Sequence, residues 1–218
     1  PLIEHPNMDP PFLSLLVSGG HTQIVFVEEW GKYNLLGSTI DDAAGEAFDK
    51  LSRFCGFGFP GGPAIQKISE GGDPDKVNLP RPKTSNKFDY SFSGLKTAAV
   101  YFLQGLTDDD KLLKKDFAAS YQEAIVDSLM NIYEKAVTET GVTNLSGGGG
   151  VMANSRLREK FLTFAEISAS PDLIIENEIT QNIEVFCDWS NTWERYDHAD
   201  FRDQKFQKLK ERIVVDGQ

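Results

Sequence analysis

A chain of 218 residues can bury a sizeable core without disulfides, and its 40% apolar and 25% charged residues are those of an ordinary globular protein rather than a disordered or fibrous one. No apolar run approaches the roughly 20 residues of a membrane helix, and the start, Pro-Leu-Ile-Glu-His, lacks the basic and apolar regions of a signal peptide. The net charge of -11 repels a phosphate backbone unless positive charge is gathered locally, so a stand-alone nucleic-acid binder is disfavoured. Cys55 and Cys187 are far apart with no CxxC spacing, which predicts free thiols in a reducing, cytoplasmic compartment. A chain opening at Pro1 in mid-loop character reads as a segment of something longer.

After a Pro-rich lead (His5 to Pro11), Phe12 to Val17 and Gln23 to Glu28 read as strands joined by Ser18-Gly19-Gly20-His21-Thr22, with a third strand over Tyr33 to Ile40. The pattern then predicts a helix over Asp42 to Phe54, with Ala43, Ala47, Leu51 and Phe54 on its apolar face and Asp41 or Asp42 as N-cap. Residues 56–93 hold most of the Gly and Pro and read as a long looped insertion with a short helix over Ala64 to Ser69. Helices follow from Gly94 and over Asp108 to Thr140, the second with a 3.6 period through Phe117, Tyr121, Ile125, Leu129, Tyr133 and Ala136. Val142 to Leu145 reads as a strand, followed by Ser146 and four glycines and then a helix over Met152 to Phe164. The tail from Ala165 offers a strand over Leu173 to Ile175 and a charged helix with Phe206, Leu209 and Ile213 on one face. This order predicts an α/β architecture with helices packed on a mixed sheet. It resembles one ribonuclease H-like lobe of the actin, Hsp70 and sugar-kinase (ASKHA) superfamily, with residues 1–164 as the lobe and 165–218 as a divergent tail.

Three glycine clusters carry the candidate chemistry. The Ser18–Thr22 turn is either a phosphate cradle, where bare N–H groups face an anion, or a tight hairpin that needs positive φ. Gly147 to Gly150 is either a connector or an anion-facing turn at a helix N-terminus, and Asn154 beyond it is either a cap or a nucleotide contact. Pro60-Gly61-Gly62-Pro63 either turns the chain or walls a sugar or base. Between them, Glu46, Asp49 and Lys50 share a helical surface that is either solvated or faces a cleft, where Asp49 would accept ribose hydroxyls. Gly45, costly inside a helix, implies a close approach to the backbone there. Arg81, Lys83, Lys87 and Lys96, with Arg156, Arg158 and Lys160, are either RNA contacts or ordinary solvated charges.

Taken in order, LLVSGGHTQ, STIDDAAGEAFDK, FPGGPAI, LPRP, YSFSGLKTA and GGGVMANSRLR resemble the tRNA threonylcarbamoyladenosine transferase family of the bacterial TsaD type, formerly labelled a glycoprotease. A sugar or acid kinase of the same superfamily shares the glycine loops but not YSFSGLKTA or AFDK. The resemblance implies an acyltransferase that moves the threonylcarbamoyl group from threonylcarbamoyl-AMP to N6 of the adenosine beside the anticodon, in tRNAs reading codons that begin with A. It implies Leu16, Val17, Ser18, Gly19 and Gly20 at the phosphate of ATP, ADP or the adenylate, Asp49 at the ribose, and Gly62 and Asn154 lining the pocket. It also implies TsaB-like and TsaE-like partners, with tRNA engaged through the complex. A divalent iron or zinc belongs to the family, but its His-x-x-x-His pair and Cys-Thr-Asp-Asn motif are missing from this sequence; His5, His21 and Cys187-Asp188 do not replace them. The alternative is a non-catalytic, truncated homologue that binds a nucleotide or a partner.

Overall fold

The computed structural model describes residues 9–105, 113–168 and 183–185. Strands β1 (Phe12–Val17), β2 (Thr22–Glu29) and β3 (Lys32–Ser38) form an antiparallel meander. Helices α1 (Ala44–Cys55), α2 (Gly61–Ser69), α3 (Ser93–Gln104) and α4 (Leu113–Thr140) come next. The chain re-enters the sheet as β4 (Asn144–Gly148), makes a 3-10 turn over Gly150–Ala153, and continues as α5 (Ser155–Ser168) and β5 (Ile183–Val185). The strand order is β3-β2-β1-β4-β5, with β4 parallel to both β1 and β5. This is the expected mixed sheet with packed helices.

The core lies on one face of the sheet. Leu13, Leu15 and Val17 alternate along β1 and are buried with Ile24 of β2, Phe48 and Leu51 of α1, and the side chains of α4. α4 is buried continuously from Phe117 to Val126, so it runs through the interior rather than over it. Its interior tyrosines end on backbone acceptors: Tyr133 Oη donates to Leu13 O at 2.8 Å, and Tyr121 Oη to Ala47 O at 3.1 Å. Each buried hydroxyl thereby keeps a partner and ties the helix to β1 or α1. Burial pushes both phenols well above their usual range. Among the described residues, no helix is long and apolar enough to cross a membrane.

Several boundaries differ from the sequence reading, each for a local reason. α1 starts after Ala43, not at an aspartate cap: the Ala44 amide donates to the buried Thr22 hydroxyl at 2.9 Å, so β2 supplies the cap. Asp41 instead accepts from Phe92 N and from Ser91 Oγ, and Asp42 pairs with Lys50 and Lys96. Phe54 is exposed rather than on the apolar face. The insertion over residues 56–93 is no mere loop, since Val77, Leu79, Phe88 and Tyr90 enter the core and α2 begins three residues earlier than expected. β4 runs to Gly148 and so takes in two of the four glycines, while α5 starts only at Ser155. The expected strand over Leu173 to Ile175, the helix containing Phe206, and His5 and Cys187 lie outside the described residues. Cys55 is a half-buried free thiol whose pKa burial raises to about 11.

The basic residues read as either RNA contacts or solvated charges are largely engaged within the chain. Arg81 and Lys160 share Asp127, Lys160 and Arg156 share Glu123, Arg156 also reaches Glu159, Lys96 pairs with Asp42, and Lys87 pairs with Glu139. Arg158 is not free either. The first five of these groups form a chain that fastens the LPRP segment, α4 and α5. Burial of Glu123 favours the neutral acid, but the hydrogen bonds from Arg156 and Lys160 outweigh it and hold its pKa at about 2. A depressed folded-state pKa gives stability that is present above the unfolded value and lost as pH falls through the folded one. In urea titrations, the unfolding midpoint should therefore fall more steeply between about pH 5 and pH 2 for the native chain than for Glu123→Gln. Near neutral pH that variant should be less stable by about 1–3 kcal/mol. Parallel pH profiles for the two proteins would show that the carboxylate is not held in this way.

Candidate functional site

Both glycine turns leave the carboxyl ends of β1 and β4, the two adjacent parallel strands at the middle of the sheet, where open α/β sheets present their crevices. At the first turn, Ser18 N donates to His21 O at 2.8 Å, and Ser18 Oγ accepts from His21 N at 3.0 Å and Gly20 N at 3.3 Å. The Gly19 amide has no partner among the described residues. Neither Gly19 nor Gly20 has a positive φ, and a Cβ at either would meet nothing within 4 Å. The hairpin therefore does not need glycine for its own conformation or packing. What the two glycines leave is open backbone at an exposed surface.

Other glycines are demanded by packing. A Cβ on Gly45 would lie 2.7 Å from Ser18 O and 2.8 Å from Gly19 Cα, so the close approach expected at Gly45 is made by the first turn itself. Gly45 N also donates to Ser18 O at 3.2 Å. Gly149 has φ +97°, and a Cβ there would lie 2.2 Å from Val17 O, so the second turn packs against the end of β1. Gly61 sits equally close on Phe48 O and Asp49 Cα, which brings α2 onto α1. These backbone contacts bring Ser18 and Gly19 against α1, Val17 against the second turn and Asp49 against the start of α2, with Leu16, Gly20 and Gly62 next to them in sequence.

Asp49 is not an idle surface carboxylate. Its Oδ1 accepts from Gly61 N at 2.6 Å, so it caps α2, whereas Glu46 and Lys50 pair with each other at 2.7 Å. Gly62, next along, is half-exposed and has open space where a Cβ would be. Asn154 is buried: its Oδ1 accepts from Arg156 N and Leu157 N as the cap of α5, and its Nδ2 donates to Gln122 Oε1 at 2.8 Å. Its side chain is thus engaged within the lobe, and it borders these contacts through the 3-10 turn that touches α1 and β1. Three further side chains complete the frame. Thr22 caps α1, Gln66 accepts from Ser155 N at 2.8 Å, and Gln122 joins Asn154 to Ser69. Thr22 stands within the SGGHT run, but nothing local marks the two glutamines, whose partners are distant in sequence.

A family model described as tRNA N6-adenosine threonylcarbamoyltransferase, TsaD, matches residues 1–183. The chain belongs to the TsaD family. It is 47% identical over 165 residues to the tRNA N6-adenosine threonylcarbamoyltransferase of Thermosipho africanus, covering 75% of this chain and 50% of that protein. The like-named proteins of Fervidobacterium nodosum and Gloeobacter violaceus are 46% and 47% identical, covering 75% and 72% of this chain and 50% and 46% of theirs. The chain thus spans about half the length of the curated relatives it matches. The TsaD match continues past residue 164, where the sequence alone put the end of the lobe. Among the described residues, no group of three or more His, Cys, Asp or Glu side chains is placed to hold a metal ion. The described residues therefore offer no set that fits the family's metal.

The two kinds of glycine separate experimentally. Gly45→Ala sets a Cβ against backbone that cannot give way freely and should lower stability by about 1–3 kcal/mol, measured by urea unfolding. Gly20→Ala should change it by less than about 0.5 kcal/mol. Equal effects in the two variants would contradict the packing described.

Proposed function

We propose that this chain supplies the nucleotide-facing lobe of a tRNA threonylcarbamoyl transferase. The carrying observation is the exposed turn Ser18–Gly20, whose glycines serve neither conformation nor packing, set beside Asp49 and Gly62 at the carboxyl ends of β1 and β4. In this reading the turn's free amide and open backbone receive the phosphate of threonylcarbamoyl-AMP, ATP or ADP. Asp49 has a second oxygen, Oδ2, available to ribose hydroxyls while Oδ1 caps α2, and Gly62 leaves room for the sugar or base.

The chemistry follows from where charge develops. N6 of the adenosine beside the anticodon attacks the carbamoyl carbonyl carbon, the bond from that carbon to the phosphate oxygen breaks, and AMP leaves carrying the electron pair while N6 loses a proton. The free Gly19 N–H, facing the departing phosphate, stabilises that charge without having to reorganise, the kind of contribution a rigid lobe can make. Ser18, bonded to two amides of its own turn, acts by holding the turn's shape. The acceptor tRNA, the TsaB-like and TsaE-like partners and the family's iron or zinc belong to this reading as what membership of the family implies for the whole enzyme.

The test is nucleotide binding by the chain. Titration of ADP by calorimetry or ligand-observed NMR should show binding that Gly19→Val weakens by about tenfold or more with the unfolding midpoint unchanged, since the added side chain fills the space left for phosphate. Asp49→Asn should weaken it by about tenfold as well, with a stability loss of about 0.5–2 kcal/mol from the weakened α2 cap. ADP affinity untouched by Gly19→Val in a folded protein would remove the phosphate assignment.

A further inference from the structure

Two exposed aromatic rings, and two cations without anionic partners among the described residues, lie on α1, α2 and the corner between them. Helix α1 ends at Cys55 and α2 starts at Gly61, and the five residues between form a corner fastened from inside: Ser52 Oγ donates to Gly58 O at 2.7 Å, Phe57 N to Ser52 O at 2.9 Å, and Asp49 holds Gly61 N. On this anchored corner Phe59 is 62% exposed and Phe54 is 51% exposed, and neither ring is paired with another aromatic side chain among the described residues. Phe59 immediately precedes Pro60, the N-cap of α2, and so stands two residues from the Asp49–Gly61 hydrogen bond. Arg53, beside Phe54, and Lys67 on α2 are both exposed and have no anionic partner among the described residues. The contrast with Arg81, Lys96, Arg156 and Lys160, all paired with carboxylates, is chemical: those cations are already neutralised, and the corner's are not.

We infer that the α1–α2 corner is a contact for unpaired RNA nucleotides, with Phe59 as a stacking platform for a base and Arg53 as a phosphate contact. Rings that sit in water while their loop is held rigid lose little freedom when a base covers them, and every base offers a π face. Interleaved aromatic and cationic side chains are how proteins grip single strands. The unpaired Arg53 cation sets this corner apart from a purely apolar patch, because a base takes the flat ring while its phosphate takes the cation. The corner abuts Gly61 and Gly62, so RNA held there would lie next to the nucleotide edge. This inference rests on the reading of that edge given above and names where its RNA substrate is gripped.

The full chain is titrated into a fluorescently labelled anticodon stem-loop carrying an unmodified adenosine beside the anticodon, with ADP affinity measured on the same preparations. Phe59→Ala should weaken RNA binding by about tenfold, Phe59→Leu should do likewise despite its bulk, and Phe59→Trp should retain binding. Arg53→Gln should weaken binding and lower the salt dependence by about one phosphate contact, while Lys135→Gln on exposed α4 surface should change neither. ADP affinity should stay at the native value throughout. No RNA binding by the native chain, or RNA binding unchanged in both Phe59→Ala and Arg53→Gln, overturns the inference while leaving a measured ADP affinity, and with it the nucleotide reading, intact. Native affinity in Phe59→Leu would equally overturn it, because the surface would then be a generic apolar one. Loss of ADP binding in the native chain would instead strike the reading on which the inference rests.

Discussion

The edge proposed to face the nucleotide depends on main chain packed against main chain without side chains between. Gly45 lies on Ser18 and Gly19, Gly149 on Val17, and Gly61 on Phe48 and Asp49, each so close that a Cβ would fall inside van der Waals contact. Such contacts tolerate no adjustment through rotamers, and so they fix backbone positions more tightly than interlocking side chains do. The Ser18–Gly20 turn is thereby clamped by α1 from one side, while the turn at Gly149 closes on the end of β1 beside it. A surface that must present amides to an anion in a fixed geometry gains from being held this way, since any looseness would have to be removed at the moment of binding.

Around this clamp the fold supplies stiffness in layers. The sheet's buried face carries β1 on α4, whose tyrosine hydroxyls end on the carbonyls of Leu13 and Ala47. The Asp41–Asp42 pair grips the start of α3 through Ser91, Phe92 and Lys96, which gives the YSFSGLK run a supporting role behind α1. Lys50 and Lys96 outweigh the burial of Asp42 and keep its carboxyl below the usual range, so the grip is ionic at neutral pH. On the far side, the Arg81–Asp127–Lys160–Glu123–Arg156 chain holds α5 against α4. Several motifs that stand out in the sequence are thus explained by what they fasten, and the surface left for ligands is smaller than the motifs together suggest.

The period-two and 3.6-residue patterns made β1 and the buried stripe of α4 legible, because each depends on near neighbours in sequence. What was not legible came from distant partners. Thr22 replaces an aspartate as the cap of α1 across a strand–helix gap of 22 residues, and Gln122 reaches Asn154 from a different helix. The insertion over 56–93 looked like loop because its Gly and Pro content hides that Phe88 and Tyr90 plug the core. Gly45 was read correctly as a close approach, yet its neighbour proved to be the chain's own turn, since composition cannot tell a ligand from a loop. The basic residues stay undecided in the sequence for the same reason: spacing shows that cations cluster, whereas only the fold shows the carboxylates that meet them.

In the function proposed above, Asp49 serves the scaffold and the ligand at once. A carboxylate offers about four lone-pair sites, and the Gly61 amide takes one, leaving Oδ2 without a partner among the described residues. The 2.6 Å bond fixes the carboxylate plane relative to the start of α2, so the second oxygen is aimed without further loss of side-chain freedom when a hydroxyl arrives. Capping and ligand binding therefore do not compete for Asp49: the cap is what orients the oxygen that remains, and α2 could not move without carrying Gly62 and the aim of the carboxylate with it.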